Sequence, residues 1–450
     1  MAVMPLVSTI VLAQLVSVPP AEHLIVAPRA FIPALAPYLD YRRNESPHLH
    51  GSSFASLEQV LASHTGCDDA EKLKRFLYER WRGAGTRSCL IVGDCDVMPM
   101  RSMTLDRGTE PAFNWAFYPC DLYYADVARA DGSFDDWNAA RDGFHAGYFG
   151  EVHGESIKTD PINFDQIDYR PEVAIGRWPV SRPEEIAPIF EKTMAFEREG
   201  SARARVEFFA VGGWVDVRGR VRGFAERLRP RCDVEVFVHD EDGSPPPSEE
   251  RMRAALASHP RWVFHTGHGS PGAYEGCLSL HTLEGVAQRD ATHEALPICV
   301  SAGCSTSEVM TQAPYQPYVD VNGVEHKGTN AGEVFTSPPP PPAAYQRGAS
   351  NTTSLAEQLV RMPTKGAVAT IGCVTGSQPC AVSLVDGLTE AIASGTPTLG
   401  ACWNHAVSRY YEIERLAELK PTADWYPPSI FFQGMKFIVL GDPGLRVAPR

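Results

Sequence analysis

Two short apolar runs each break at their far end into a polar, glycine-bearing turn: Arg261-Trp-Val-Phe-His265-Thr-Gly-His268-Gly269-Ser270 and Pro297-Ile-Cys-Val-Ser-Ala-Gly303-Cys304-Ser305. A short apolar run bounded by such a turn reads as a buried strand. The carboxyl ends of strands are where open α/β sheets build their sites. Each run therefore delivers one reactive side chain, and together they read as a cysteine nucleophile, Cys304, with its histidine, His268. A free thiol is only a few per cent thiolate at neutral pH, so such a cysteine needs a histidine or a helix terminus beside it. His265 lies inside its strand, outside the His-Gly pair, and reads as structural.

Other residues invite chemistry less strongly. Asp94 and Asp96 follow a strand beside a Pro turn, where carboxylates usually cap the next backbone amides. Asp126, Asp131, Asp135, Asp136 and Asn138 supply hard oxygen ligands in a glycine-containing stretch. A structural calcium fits that chemistry, and a solvated acidic loop accounts for it equally, since the EF-hand spacing is absent. Cys89 and Cys299 sit in apolar strand-like runs and read as buried, inert thiols. Cys95 falls in the loop after its strand, where packing explains it less well. Cys373 and Cys380 bracket a polar loop, and their spacing leaves pairing open.

The chain's 450 residues exceed what one hydrophobic core usually serves, so two subdomains are expected. Forty-one basic against 55 acidic residues give a net charge of -14. That balance, with no run of Lys and Arg, argues against nucleic acid or an anionic membrane as a partner. Eleven cysteines without a C-x-x-C pair suggest neither a disulfide framework nor a structural zinc. Residues 1–21 carry no charge and include the apolar stretch Pro5 to Val16. This fits a signal peptide's h-region, but a positive n-region and a cleavage site are missing, so an N-terminal extension fits as well. Export and cytoplasmic residence both stay open. No other segment approaches a membrane span.

The elements that must position the two turns alternate as in βαβ units, which predicts α/β architecture with a mainly parallel sheet. Strands are expected at 22–28, 88–92, 171–179, 206–211, 233–239, 366–372 and 436–440, besides the two opening runs. Helices are expected from Ser56, over Asp68 to Trp81 with Asp68 or Asp69 as cap, over 183–198, 219–228 and 248–257, and from the Ser354/Glu357 capping box. A polar excursion fills 126–166, and the boundary between an N-terminal subdomain (22–166) and a catalytic one (167–447) is placed near 166. Residues 311–348 form a surface insertion or lid, because five successive prolines from Pro338 to Pro342 exclude helix and central strand.

With that layout the sequence resembles the gingipain-type cysteine peptidases, peptidase family C25, of the clan that includes caspases and legumains. The carrying stretches are Ser88–Pro99, Asp121–Asp126, Glu172–Pro179, His265–Ser270, Val300–Cys304, Gly366–Gly372 and Leu440–Pro443, spread over about residues 22–446. The resemblance implies a caspase-like three-layer α/β/α fold and a cysteine endopeptidase acting on proteins or peptides without a required cofactor. It also implies roles. Cys304 would be the nucleophile, His268 the catalytic histidine, the Gly269 and Cys304 amides the oxyanion hole, and Glu172 the carboxylate that orients the histidine. The residue-level alternative for Glu172 is a surface carboxylate paired with Arg177. Tyr274 stands near where relatives often have a tryptophan and could wall the substrate cleft. Glu184 and Glu185 are the nearest acidic candidates for binding a basic P1 side chain, although a helix N-terminus explains them too. The competing reading is a catalytically silent relative that uses the same cleft as a binding or scaffold module.

Overall fold

The computed structural model describes residues 22–46, 49, 52–104, 116–137, 167–199, 203–240, 243–258, 260–284, 295–337, 339–346, 353–420, 430 and 432–448. The segment 1–21 and most of the polar excursion, including Asn138, lie outside them. Ten strands form the central sheet: β1 (His23–Ala27), β2 (Ser53–Ser56), β3 (Ser88–Val92), β4 (Ala174–Trp178), β5 (Ala204–Ala210), β6 (Cys232–Val238), β7 (Trp262–Thr266), β8 (Ile298–Ser301), β9 (Ala369–Cys373) and β10 (Phe437–Leu440). Their order is β2-β1-β3-β4-β10-β9-β8-β7-β5-β6. Every pairing is parallel except β9 with β10.

That one antiparallel pairing divides the sheet. Strands β1 to β4 run one way together with β10, and β5 to β9 run the other, so the carboxyl ends of the two groups leave at opposite ends of the sheet. The division falls after β4. Strand β4, which follows the boundary expected near residue 166, hydrogen-bonds to β3 across its whole length and shares the direction of the first group.

Helices cover both faces, as the buried strands require. On one side lie α1 (Ile32–Asn44), α4 (Ile186–Arg198), α6 (Glu249–Ala257) and α7 (Leu355–Arg361); on the other lie α5 (Arg218–Leu228), α8 (Val382–Ser394) and α9 (Leu399–Ile413). Helices α2 (Leu57–Ser63) and α3 (Asp69–Ala84) pack against each other beside the first group. Alternate residues of β5 serve the two layers: Phe208 meets Phe224 of α5, while Phe209 joins Met252 of α6. The expected caps form. Asp68 accepts from the Glu71 amide at the start of α3, and Ser354 and Glu357 complete a capping box on α7. A buried network ties the turn after β10 to α1, with Tyr38 and Arg42 both bonded to Asp442, and Arg42 also held by Glu197 at 2.8 Å.

The proline-bearing insertion carries two short antiparallel strands, Tyr318–Val319 and Glu325–His326. It docks on the first group of strands. The Met100 amide donates to the Ala344 carbonyl at 2.8 Å, Gln346 N to the Cys95 carbonyl at 2.9 Å, and the Tyr345 hydroxyl to Asp69 at 3.1 Å.

Candidate active site

Strands β7 and β8 are paired so that Ser301 lies beside His265. Each chain then runs three residues further, which brings His268 and Cys304 off the same end of the sheet at matching height. The turns between them interlock through glycines. A Cβ on Gly269 would stand 2.8 Å from the Cys304 carbonyl oxygen and 3.0 Å from its nitrogen, and one on Gly303 would stand 3.0 Å from the Gly269 Cα. Only a residue without a side chain permits that approach. Ser305, directly after the cysteine, holds φ at 53° with its amide bonded to the Thr375 carbonyl at 2.8 Å. A left-handed non-glycine residue costs on the order of 1–3 kcal/mol and persists only where its surroundings fix it.

Cys304 is half-buried, and its sulfur receives the Ser377 amide at 3.3 Å. An N–H aimed at sulfur solvates the anion. Eight other cysteines, Cys89, Cys95, Cys120, Cys232, Cys277, Cys299, Cys373 and Cys402, are buried, and desolvation raises the pKa of each. All eleven thiols are free, including Cys373 and Cys380. His268 is exposed, with Nε2 2.8 Å from the Gly213 carbonyl. A carbonyl only accepts, so Nε2 carries the proton and the neutral ring keeps its lone pair on Nδ1. Gly213, at φ 88°, belongs to the Gly212-Gly213 turn that follows β5, the strand beside β7.

Beneath these turns sits His265. Its Nδ1 lies 2.9 Å from the Ser301 hydroxyl, which in turn accepts the Gly303 amide at 3.1 Å. Burial pulls the ring's pKa down to about 4, so it stays neutral, and Tyr274 stacks on it with centroids 5.0 Å apart. The Glu275 amide bonds the His268 carbonyl at 3.1 Å, which makes Gly269 and Tyr274 a non-hydrogen-bonded pair whose own amides the ladder does not use.

Several expected residues stand elsewhere. Tyr274 is buried at 1% exposure, so it buttresses His265 and does not wall a cleft. Glu172 does not reach His268: its Oε2 accepts the Val127 and Ala128 amides at 2.9 and 3.1 Å, and β4 lies four sheet positions, about 19 Å, from β7. Arg177 is not its partner either, since that guanidinium pairs with Asp121 at 2.8 Å. Glu184 and Glu185 follow the carboxyl end of β4, at the end of the sheet opposite the Cys304 turn. Glu185 is engaged by Arg182 and by the Ser181 amide, and Glu184 is an exposed partner of Arg182. Asp94 accepts the Cys95 amide, as capping predicts, and pairs with Arg361, whereas Asp96 accepts from the distant Ser181 hydroxyl. Asp131 is exposed and bonds Ser133, whereas Asp126 and Asp135 turn inward toward Asp168, a residue the sequence reading passed over. Gly213, Ser301 and Ser377 were also missed. The doubled glycine after β5 was the available signal for the first.

A thiol and an imidazole on interlocked turns at the carboxyl end of a parallel sheet define the site type of a cysteine peptidase of the caspase-like fold. The family model described as Peptidase family C25 matches residues 17–448, and the chain belongs to that family. It is a cysteine-type peptidase, and its substrates are proteins. Among solved structures it is similar to the Arg-specific cysteine proteinase gingipain R (RgpB), with 14% identity, a TM-score of 0.60, and coverage of 96% of this chain and 79% of that one. It is also similar to RgpB in a complex of its pro- and mature domains from Porphyromonas gingivalis, with 14% identity, a TM-score of 0.57 and coverage of 94% and 79%. These likenesses show the fold. No curated protein matches. No helix among the described residues is long and apolar enough to cross a membrane.

Proposed function

We propose that this chain is an endopeptidase working through a Cys304–His268 dyad. The supporting observation is the contact of the His268-Gly269 turn with the Cys304 backbone, so close that residue 269 can carry no side chain. His268 Nδ1 takes the Cys304 proton, and the thiolate attacks the scissile carbonyl carbon. The Gly269 and Cys304 amides receive the oxyanion. The C–N bond breaks as the imidazolium returns its proton to the leaving amine, giving a thioester. Water, deprotonated by the same nitrogen, then hydrolyses the thioester and frees the thiol. The Gly213 carbonyl holds the ring and takes the orienting role expected of Glu172, which has no step in this scheme.

The test is covalent labelling with a peptidyl acyloxymethyl ketone followed by mapping of the modified residue. Labelling should fall on Cys304 alone, vanish in Cys304→Ala and weaken by about a hundredfold in His268→Ala. Wild-type protein that leaves Cys304 unmodified would overturn the dyad and leave a binding module on a peptidase fold.

A further inference from the structure

The loop that leaves β9 runs beside the Cys304 turn, and its first part is gripped from both sides. The Val374 amide donates to the Lys436 carbonyl at 2.8 Å, Gln312 Nε2 to the Val374 carbonyl at 2.7 Å, and the Ser305 amide to the Thr375 carbonyl at 2.8 Å. Beyond Thr375 the chain opens. Gly376 and Gln378 are exposed, and a Cβ on Gly376 would meet nothing within 4 Å. Ser377, between them, is buried and faces the sulfur in both of its protonation states. Its carbonyl accepts from the thiol at 3.6 Å, and its amide donates to the sulfur at the shorter distance of 3.3 Å.

What turns Ser377 inward comes from the residues that lead into β10. Gln433, the first residue of the 3-10 turn Gln433–Lys436, is fully buried. Its Oε1 accepts the Gln378 amide at 3.2 Å, and its Nε2 donates to the Ser377 hydroxyl at 3.3 Å. A backbone amide only donates, which places the oxygen on Gln378 and the NH2 group on Ser377. Burying a primary amide is costly unless its hydrogen bonds are made, so packing alone would favour an apolar side chain here. The bonds it makes grip the two residues that follow the unconfined Gly376.

We propose that Gln433 is a positioning residue for the nucleophile: by holding Ser377 and Gln378 it keeps the Ser377 amide on the Cys304 sulfur and stabilises the thiolate. An N–H dipole fixed on sulfur favours the anion without bringing in a competing negative charge. A loop released from Gln433 would swing about Gly376, and the sulfur would lose its nearest donor. This role matters for turnover because Cys304 is the nucleophile of the reading above, on which it rests.

The experiment follows alkylation of Cys304 by iodoacetamide across pH in the full chain, with the modified residue mapped by mass spectrometry. In Gln433→Met, which keeps the length of the side chain and removes both hydrogen bonds, the pH of half-maximal rate should rise by about one unit. Alkylation below that pH should slow about tenfold, with the alkaline plateau unchanged. Ser377→Ala, which loses only the hydroxyl bond, should shift the profile the same way by less, and it decides the matter if Gln433→Met does not fold. Profiles that superimpose on wild type would overturn the role and leave the dyad standing. A rate lowered equally at every pH would overturn it too, by making Gln433 merely structural. A shifted profile in a chain whose Cys304 ignores the peptidyl ketone would instead sink the dyad and keep the link from Gln433 to the sulfur.

Discussion

Val92-Gly93-Asp94-Cys95 and Ser301-Ala302-Gly303-Cys304 share a pattern, a buried strand ending in a glycine and then a cysteine, yet the two turns have opposite fates. Cys95 is fully buried, its thiol donates to the Val309 carbonyl at 3.3 Å, and a Cβ on Gly93 would stand 2.3 Å from the Met98 side chain. Cys304 stays half-open, with an amide aimed at its sulfur and a second glycine turn against its backbone. Because β3 and β8 belong to oppositely directed groups, the two cysteines also leave opposite ends of the sheet. A strand's carboxyl end is thus insufficient to make a site. The neighbouring turn must also be small enough to leave space, and here that turn is His268-Gly269.

Giving the open turn the crowding of the closed one is the strongest way to break this comparison. Gly269→Ala places a methyl group against the Cys304 backbone, and kcat/KM on a fluorogenic peptide should fall by about a thousandfold, with a lowered melting temperature as the two turns are pushed apart. A rate within tenfold of wild type would mean that the glycine contact is incidental. Next comes the support beneath the open turn. His265 titrates near 6.5 when unfolded and near 4 when folded, so the unfolded chain binds more protons between those values. Stability is complete above pH 6.5 and is lost as pH falls toward 4, by about 3 kcal/mol from this group. Urea unfolding should therefore show a shallower acid loss in His265→Gln than in wild type, and parallel losses would remove His265 from the account. The smallest effect belongs to the closed turn: Cys95→Ala should cost about 1 kcal/mol of stability and leave kcat/KM within twofold. A large rate loss there would give Cys95 a share in the chemistry.

Strand ends with glycines were readable because β7 and β8 are apolar throughout and stop abruptly. Helices with strong caps, such as α3 and α7, were readable for a similar reason. Helix α1 was not, since Pro33 and Pro37 interrupt its pattern, and α8 and α9 escaped notice despite a long apolar face. The third site group failed for a topological reason. Glu172 sits at the amino end of β4, and nothing local reports that four sheet positions separate it from β7. The carbonyl that holds His268 has no side-chain signature at all, so residue types alone could not have named Gly213. The acidic cluster was half visible: Asp126 and Asp135 were recognised, but one places Asp131 outward and Asp168 inward only when the hairpin's direction is known.

Strand β10 lies at the seam between the two groups of strands although it follows all the others in the chain. During synthesis, both glycine turns are made more than a hundred residues before this seam exists. An emerging chain can pair β5 through β9, but their inner edge stays bare until residue 440 has left the ribosome and the Asp442 turn can lock onto Tyr38 and Arg42. The order of strands in the sheet thus acts as a timing device that delays closure of the peptidase core until β10, the last strand of the sheet, has been made.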